Sequence, residues 1–391
     1  MRVKIFLPLV LSFIIGLSAC TEKKDWVNNA VDTSAYQLKM MAEQIADSNK
    51  IPRSIRDGKV RLEDLYDWTS GFFPGSLWYA YELTQEEYFK TQAHKYTALL
   101  YDLREYKGTH DLGFMIYCSY GNEYRLTGDT TIIPVMIQTA DNLAGRFNPI
   151  TKTIRSWDFG DWMYPVIIDN MMNLELLFWA SEYTGDDKYK NIAITHANTT
   201  MIEHYRPDFS SYHVIDYDTI TGAVRSRGTH QGYSDDSDWA RGQAWGLYGY
   251  VVCYRFTKDL KYLDFAKKIA QFIMDNVVTE DKIPYWDYNA PDIPNAPRDA
   301  SAAAVTASAL FEMSTYGDPD NIYFNYAETI LKNLSSSNYL AQKGENLGFV
   351  LMHSVGHLPA NSEIDTPLNY ADYYYMESLK RYKDLKVQAT E

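Results

Sequence analysis

The feature that most constrains this chain is a short turn that recurs between apolar, helix-periodic segments. Leu126-Thr127-Gly128-Asp129 and Tyr183-Thr184-Gly185-Asp186 are its fullest forms, and Leu83-Thr84-Gln85-Glu86, Phe256-Thr257-Lys258-Asp259 and Tyr316-Gly317-Asp318 are variants. Glycine can end a helix in the left-handed conformation, and aspartate can cap the helix that follows. An aromatic residue comes soon after, at Tyr88, Tyr189, Tyr262 and Tyr323. The intervals are too uneven for a simple solenoid and predict helical hairpins with insertions of varying length at one end. The apolar periodicity predicts helices over 31–48, 68–83, 85–105, 111–127, 130–147, 166–184, 187–204, 238–256, 259–276, 299–315, 320–335 and 367–383. Paired, these make an all-α (α/α)6 toroid of six hairpins in a single domain, 31–385. Its inner helices are the ones opening with Trp68, Asp111, Asp169, Asp238-Trp239 and Arg298-Asp299. The turns then lie at the opposite end, and the long segments 205–237 and 277–298 form the rim of a cleft.

The first residues read as an address. Arg2 and Lys4 precede an apolar run from Ile5 to Leu17, too short for an ordinary transmembrane helix. Leu17-Ser18-Ala19-Cys20 resembles a bacterial lipobox. Residues 1–19 are thus expected to be a lipoprotein signal peptide, Cys20 the lipidation site, and 20–30 a short tether. The expectation is an exported protein, anchored to a bacterial membrane on its periplasmic or outer-surface side, with no other membrane contact. Cys118 and Cys253 sit on apolar helical faces and are read as buried free thiols, one disulfide being the alternative. No metal-ligand spacing is present in the sequence. The net charge of −14 argues against nucleic acid as a partner. It does not exclude an anionic sugar, because a few local donors can hold one carboxylate.

Three constellations carry chemistry. Asp169 opens the apolar stretch Asp169-Asn170-Met171-Met172-Asn173. A carboxyl withdrawn from water there suits a general acid, while an ordinary N-cap is the alternative. Asp111 follows His110 in Thr109-His110-Asp111-Leu112-Gly113-Phe114. It reads either as a cap or as a second carboxylate facing the first, the pairing glycosidases use. The densest run is His230-Gln231-Gly232-Tyr233, then Asp238-Trp239-Ala240-Arg241-Gly242-Gln243-Ala244-Trp245. Trp for a sugar face and Arg for a carboxylate make a uronate site. Alternatively, both tryptophans are core and Arg241 pairs with Asp235, Asp236 or Asp238. The 33 Tyr and 9 Trp fit a sugar site, since pyranose C–H faces pack on aromatic rings, though a tyrosine-rich core fits them equally.

Taken in order, Trp68-Thr69-Ser70-Gly71-Phe72-Phe73-Pro74-Gly75, His110 to Phe114, Ile168 to Asn173, His230 to Trp245, Asn361-Ser362-Glu363-Ile364-Asp365 and Ala371-Asp372-Tyr373-Tyr374 resemble the unsaturated glucuronyl hydrolases, glycoside hydrolase family 88. The resemblance runs from about residue 30 to 383. It implies an (α/α)6 barrel without metal or organic cofactor. The implied substrate is an anionic oligosaccharide left by a polysaccharide lyase, its terminal uronic acid carrying a C4=C5 double bond, with glycosaminoglycan fragments the first expectation. By position it implies Asp169 as general acid/base and Asp111 as the second catalytic carboxylate. Trp68, Trp157, Trp239 and Trp245 shape or stack on the sugar. His213, Gln231 and Arg241 hold the uronate and the water, with Thr229, His110 and His230 beside them, and one of Tyr373 to Tyr375 faces the cleft. Competing readings are an unsaturated rhamnogalacturonyl hydrolase acting on pectin fragments, a sugar epimerase on the same barrel, and a non-catalytic glycan-binding lipoprotein.

Overall fold

A computed structural model describes residues 25–388 of the chain. The signal-peptide reading, Cys20 and the start of the tether lie outside the described residues. Six helices form an inner ring: α2 (Phe72–Thr84), a π-helix (Gly113–Gly121) running into α4 (Asn122–Thr127), α6 (Asn170–Thr184), α8 (Ala240–Thr257), α10 (Ala300–Ser314) and α12 (Asn369–Gln388). Each packs on the next, and α12 closes the ring on α2. The outer layer is α1 (Trp26–Gln44), α3 (Glu87–Leu99), α5 (Ile133–Ala144), α7 (Asp187–Glu203), α9 (Leu260–Asn276) and α11 (Ile322–Leu334). The molecule is thus the all-α (α/α)6 barrel expected from the sequence, with α1 and α12 completing the sixth pair from opposite ends of the described chain.

Composition explains which helices go inside. Inner helices are packed on every side, so the first ten residues of α10 are all Ala, Ser, Val or Thr, and small side chains let its neighbours approach. Outer helices such as α9 and α11 carry one apolar stripe and a charged face.

The recurring turns join inner to outer helices by one repeated arrangement. Thr84, Thr127, Thr184 and Thr257 each donate Oγ1 to the carbonyl four residues back, at 2.7, 2.7, 2.6 and 2.7 Å. The same hydroxyls accept the backbone N–H two residues on, at 3.1–3.2 Å. Between them the chain turns left-handed, with φ of 68° at Gly128 and 73° at Gly185. Asp129, Asp186 and Asp259 then cap the next helix by accepting from Thr131, Lys188 and Lys261. The three turns that end in aspartate therefore satisfy end groups of two helices at once, whereas Glu86 in the fourth makes no capping bond.

The structure departs from the nearly all-helical expectation at the other end of the barrel. There, short strands pair as β1 (Ile51–Arg56) with β2 (Lys59–Glu63), β3 (Phe147–Asn148) with β4 (Thr153–Ile154), and β5 (Pro165–Ile167) with β6 (Val214–Tyr217) and β7 (Val224–Gly228). Val166 and Ile167, expected to open the helix 166–184, instead pair with β6 together with Pro165, a conformation that suits a proline at the strand start followed by β-branched residues. Cys118 and Cys253 are buried free thiols. Among the described residues no helix is long and apolar enough to cross a membrane.

Candidate active site

Sheet register assembles the centre of the site. Ile167 pairs with Val214, and the next residue, Ile168, donates its N–H to the carbonyl of His213 at 3.0 Å. Asp169 and His213 are thereby set side by side, with Asp169 Oδ2 3.5 Å from His213 Nε2. Asp169 occupies the N-cap position of α6 yet makes no capping bond. Its Oδ2 and His213 Nε2 are both buried and without a hydrogen-bond partner. A buried polar pair left open in this way points to something the site receives. His213 Nδ1 accepts the N–H groups of His230 and Gln231 at 3.1 and 3.2 Å. With Nδ1 accepting, the ring N–H is on Nε2, facing Asp169.

Asp111 comes from the loop that enters the π-helix. Thr109 Oγ1 donates to its Oδ2 at 2.5 Å, and His110 Nε2 lies 3.2 Å from its Oδ1. Burial pushes the Asp111 carboxyl above its usual range, opposed by His110 and Thr109, and the charge of Asp169 raises it further. The two carboxylates are close enough to feel one another, as glycosidase pairs must. Burial likewise lowers His110, with Asp111 and Asp169 pulling the other way. The helices carrying the two acids meet at Gly113. A side-chain carbon there would sit 2.6 Å from the Asn173 backbone, while Asn173 Oδ1 accepts the Phe114 N–H at 2.8 Å. Only glycine permits that approach.

These groups open into a cavity of about 370 Å³. Trp68, His110, Asp111, Trp157, Asp169, His230 and Gln231 all line it. His213 and Thr229 stand behind the lining, where Thr229 Oγ1 accepts the Gly232 N–H at 2.7 Å. Trp239 and Trp245, expected to shape or stack on the sugar, are almost wholly buried. Trp239 backs His213 with ring centres 4.5 Å apart, and Trp245 packs on Phe114 at 5.2 Å. The geometry leaves them a shaping place, with no face open for stacking. Arg241 is fully buried and salt-bridged to Asp299 at 2.8 Å, not to Asp235, Asp236 or Asp238. Its terminal nitrogens also donate to the Val355 and Gly356 carbonyls, and its Nε has no partner. None of Tyr373 to Tyr375 lines the cavity; Tyr370, one helical turn earlier, does, and its hydroxyl has no partner.

The sequence reading missed Arg53, Asp67, Phe159 and His357, which also line the cavity. Arg53 makes two hydrogen bonds to Glu363 at 2.9 Å and one to Asp67 at 2.7 Å. Burial alone would lower it, but the two carboxylates more than offset this and hold it firmly cationic. His357 meets His230 at 4.6 Å between ring centres and bonds the His230 carbonyl through Nε2 at 2.8 Å. Burial, reinforced by His213 and His357, lowers His230 to about 4, so it is neutral near pH 7. Among the described residues no group of three or more His, Cys, Asp or Glu is arranged to hold a metal ion.

The family model described as Glycosyl Hydrolase Family 88 matches residues 38–389. An unsaturated glucuronyl hydrolase of Formosa agariphila is 44% identical over 398 residues, covering 98% of this chain and 99% of that protein. An unsaturated chondroitin disaccharide hydrolase of Streptococcus agalactiae serotype III is 35% identical over 370 residues, covering 92% of each. A crystal structure of an unsaturated glucuronyl hydrolase specific for heparin superposes with a TM-score of 0.91 at 52% identity, covering 93% of this chain and 98% of that one. With two acids lining one cavity of an (α/α)6 barrel and likeness along nearly its whole length, this chain belongs to glycosyl hydrolase family 88.

Proposed function

We propose that this chain removes the terminal 4,5-unsaturated uronic acid from lyase-generated oligosaccharides, with Asp169 as the acid/base. The observation that carries this reading is the open pair Asp169 Oδ2 and His213 Nε2, buried, unpartnered and next to a second carboxylate. The substrate double bond is an enol ether. Asp169 protonates C4, and positive charge develops at C5, shared with the ring oxygen. Water gives its proton to Asp169 as its oxygen bonds C5. The resulting hemiketal breaks its C5–ring oxygen bond to a ketone, and the hemiacetal left at C1 releases the partner sugar as an alcohol. No ester to the enzyme forms, so Asp111 acts by orienting the substrate and balancing charge rather than as a nucleophile. Its raised pKa, caused mainly by burial, suits a group that can share a proton with its neighbour.

Asp169→Asn is the test. The conjugated double bond absorbs in the ultraviolet, and turnover bleaches that band. The variant is expected to bind an unsaturated disaccharide but not bleach it; undiminished bleaching would remove the mechanism. The glycan is proposed to be glycosaminoglycan-derived, and the 52% identity to the heparin-specific enzyme supports heparin-type disaccharides ahead of chondroitin-type ones. A panel of lyase-generated disaccharides, pectin fragments included, decides it.

The lipobox reading supports an exported protein anchored through Cys20. Cys20→Ala should move the protein from the membrane fraction to the soluble one, and unchanged fractionation would count against the anchor.

A further inference from the structure

Beyond the carboxylates, the cavity mouth carries a ring that the proposed chemistry does not use. Phe159 is 58% exposed and also lines the cavity, so its ring is reachable from both solvent and site. It lies parallel to Trp157, with centroids 5.0 Å apart and 11° between planes. Trp157 in turn takes the edge of Trp162 at 5.4 Å and meets His230 at 5.4 Å. Asp158, between the two stacked rings, is tied down by Arg146 at 3.0 Å and Arg155 at 3.1 Å. The next residue, Gly160, has φ of 77°, and a side chain there would meet Trp162 at 2.7 Å. Phe159 is therefore held in place from both sides while its outer face stays open to water.

Such a ring is well shaped for a sugar. A pyranose presents a C–H face that packs on an aromatic plane and loses little conformational freedom in doing so. The direction follows from the reaction proposed above, on which this step rests. The unsaturated uronate is the end of its chain, so it occupies the closed part of the cavity against Asp169, and the partner sugar must extend outward through the mouth. Tyr66, half exposed, and Tyr106 give that mouth a second aromatic edge, their rings in T-shaped contact at 5.2 Å.

We infer that Phe159 is a specificity-determining residue that binds the sugar released by the reaction, stacking on its C–H face at the cavity mouth. It adds affinity for a saccharide leaving group without touching the alkene.

The experiment compares two substrates by ultraviolet bleaching: an unsaturated uronyl–hexosamine disaccharide, and the methyl glycoside of the same unsaturated uronate, which lacks the leaving sugar. For Phe159→Ala, the disaccharide KM should rise about 3- to 10-fold with kcat unchanged, while the methyl glycoside is unaffected. Phe159→Trp should restore the disaccharide KM, and the exposed position should leave the melting temperature of both variants at the wild-type value. An equal change on both substrates, or none on the disaccharide, would overturn the inference. If the wild-type protein bleached neither substrate, it is the hydrolase reading that would fall instead.

Discussion

The two ends of the barrel hold cavities of nearly the same volume, about 370 Å³ at the strand end and 380 Å³ at the turn end. Volume does not tell them apart; the fate of their polar groups does. At the turn end every inner helix contributes to a closed network. Glu377 accepts from Tyr79 Oη at 2.9 Å, Tyr248 Oη at 3.0 Å, Ser308 Oγ at 2.5 Å and Arg381 at 3.3 Å. Arg255 bridges Glu175 and Glu312, and Arg125 makes two hydrogen bonds to Glu82. At the strand end Asp169 Oδ2, His213 Nε2, His110 Nδ1 and the Trp157 indole N–H are buried with no partner. A network that satisfies itself holds structure together, and one left incomplete is ready for a ligand.

Substitutions on the two sides should separate these roles. The largest effect is expected from Asp169→Asn, which should cut turnover by at least about 10³-fold with the melting temperature nearly unchanged. A fall in stability that accounted for the lost activity would erase the distinction between the ends. Next comes Glu377→Ala, which removes the acceptor shared by the hydroxyls of Tyr79, Tyr248 and Ser308 inside the barrel, while Arg381 keeps Glu312 at 2.6 Å. It should cost about 3–5 kcal/mol of unfolding free energy in denaturant titrations. Activity per folded molecule should stay at the wild-type level, and a selective loss of kcat would show that the turn end takes part in catalysis.

A smaller effect comes from pH and belongs to the strand end. His204 is fully buried with Nε2 on the Val166 carbonyl of β5 at 3.1 Å. Burial lowers it to about 3, partly opposed by that bond. Its folded-state value is depressed, so the unfolded chain takes up the proton first. The stability it contributes is complete above about pH 6.5 and is lost as pH falls toward 3. At pH 5 the loss is about 2 kcal/mol. Hydrogen exchange at pH 5 should therefore loosen β5 and β6 before α12. His204→Gln should flatten the dependence between pH 7 and 5, and an unchanged slope would place the acid sensitivity elsewhere.

The same contrast separates what the sequence revealed from what it hid. The turn end is built from contacts between residues two to four apart, so Thr184-Gly185-Asp186 carries its own geometry and the hairpins could be read directly. Asp111 and Asp169 stood out because each opens an apolar run, and that is a local signal too. The strand end depends on partners distant along the chain. Arg53 reaches Glu363 across 310 positions, and Gln231 reaches the Gly356 carbonyl across 125. No spacing in the sequence announces such a pair, so Arg53, Phe159 and His357 went unread. Strand β6, Val214 to Tyr217, is buried at every position and shows no alternation to betray it. The π-helix after Asp111 was equally hidden, since its apolar residues fit an ordinary helix as well.

The closure of α12 on α2, with α1 lying against both, gives the ring no seam. Trp26 touches Tyr382 at 5.3 Å, so the two extremities of the described chain are neighbours in space. A polypeptide emerging from the ribosome can stack its hairpins one after another, yet the annulus stays a horseshoe until its final segment arrives. Cooperativity in this architecture is thus imposed by topology: removing α12 takes away one sixth of the inner wall and unbuttons every neighbour's seal at once.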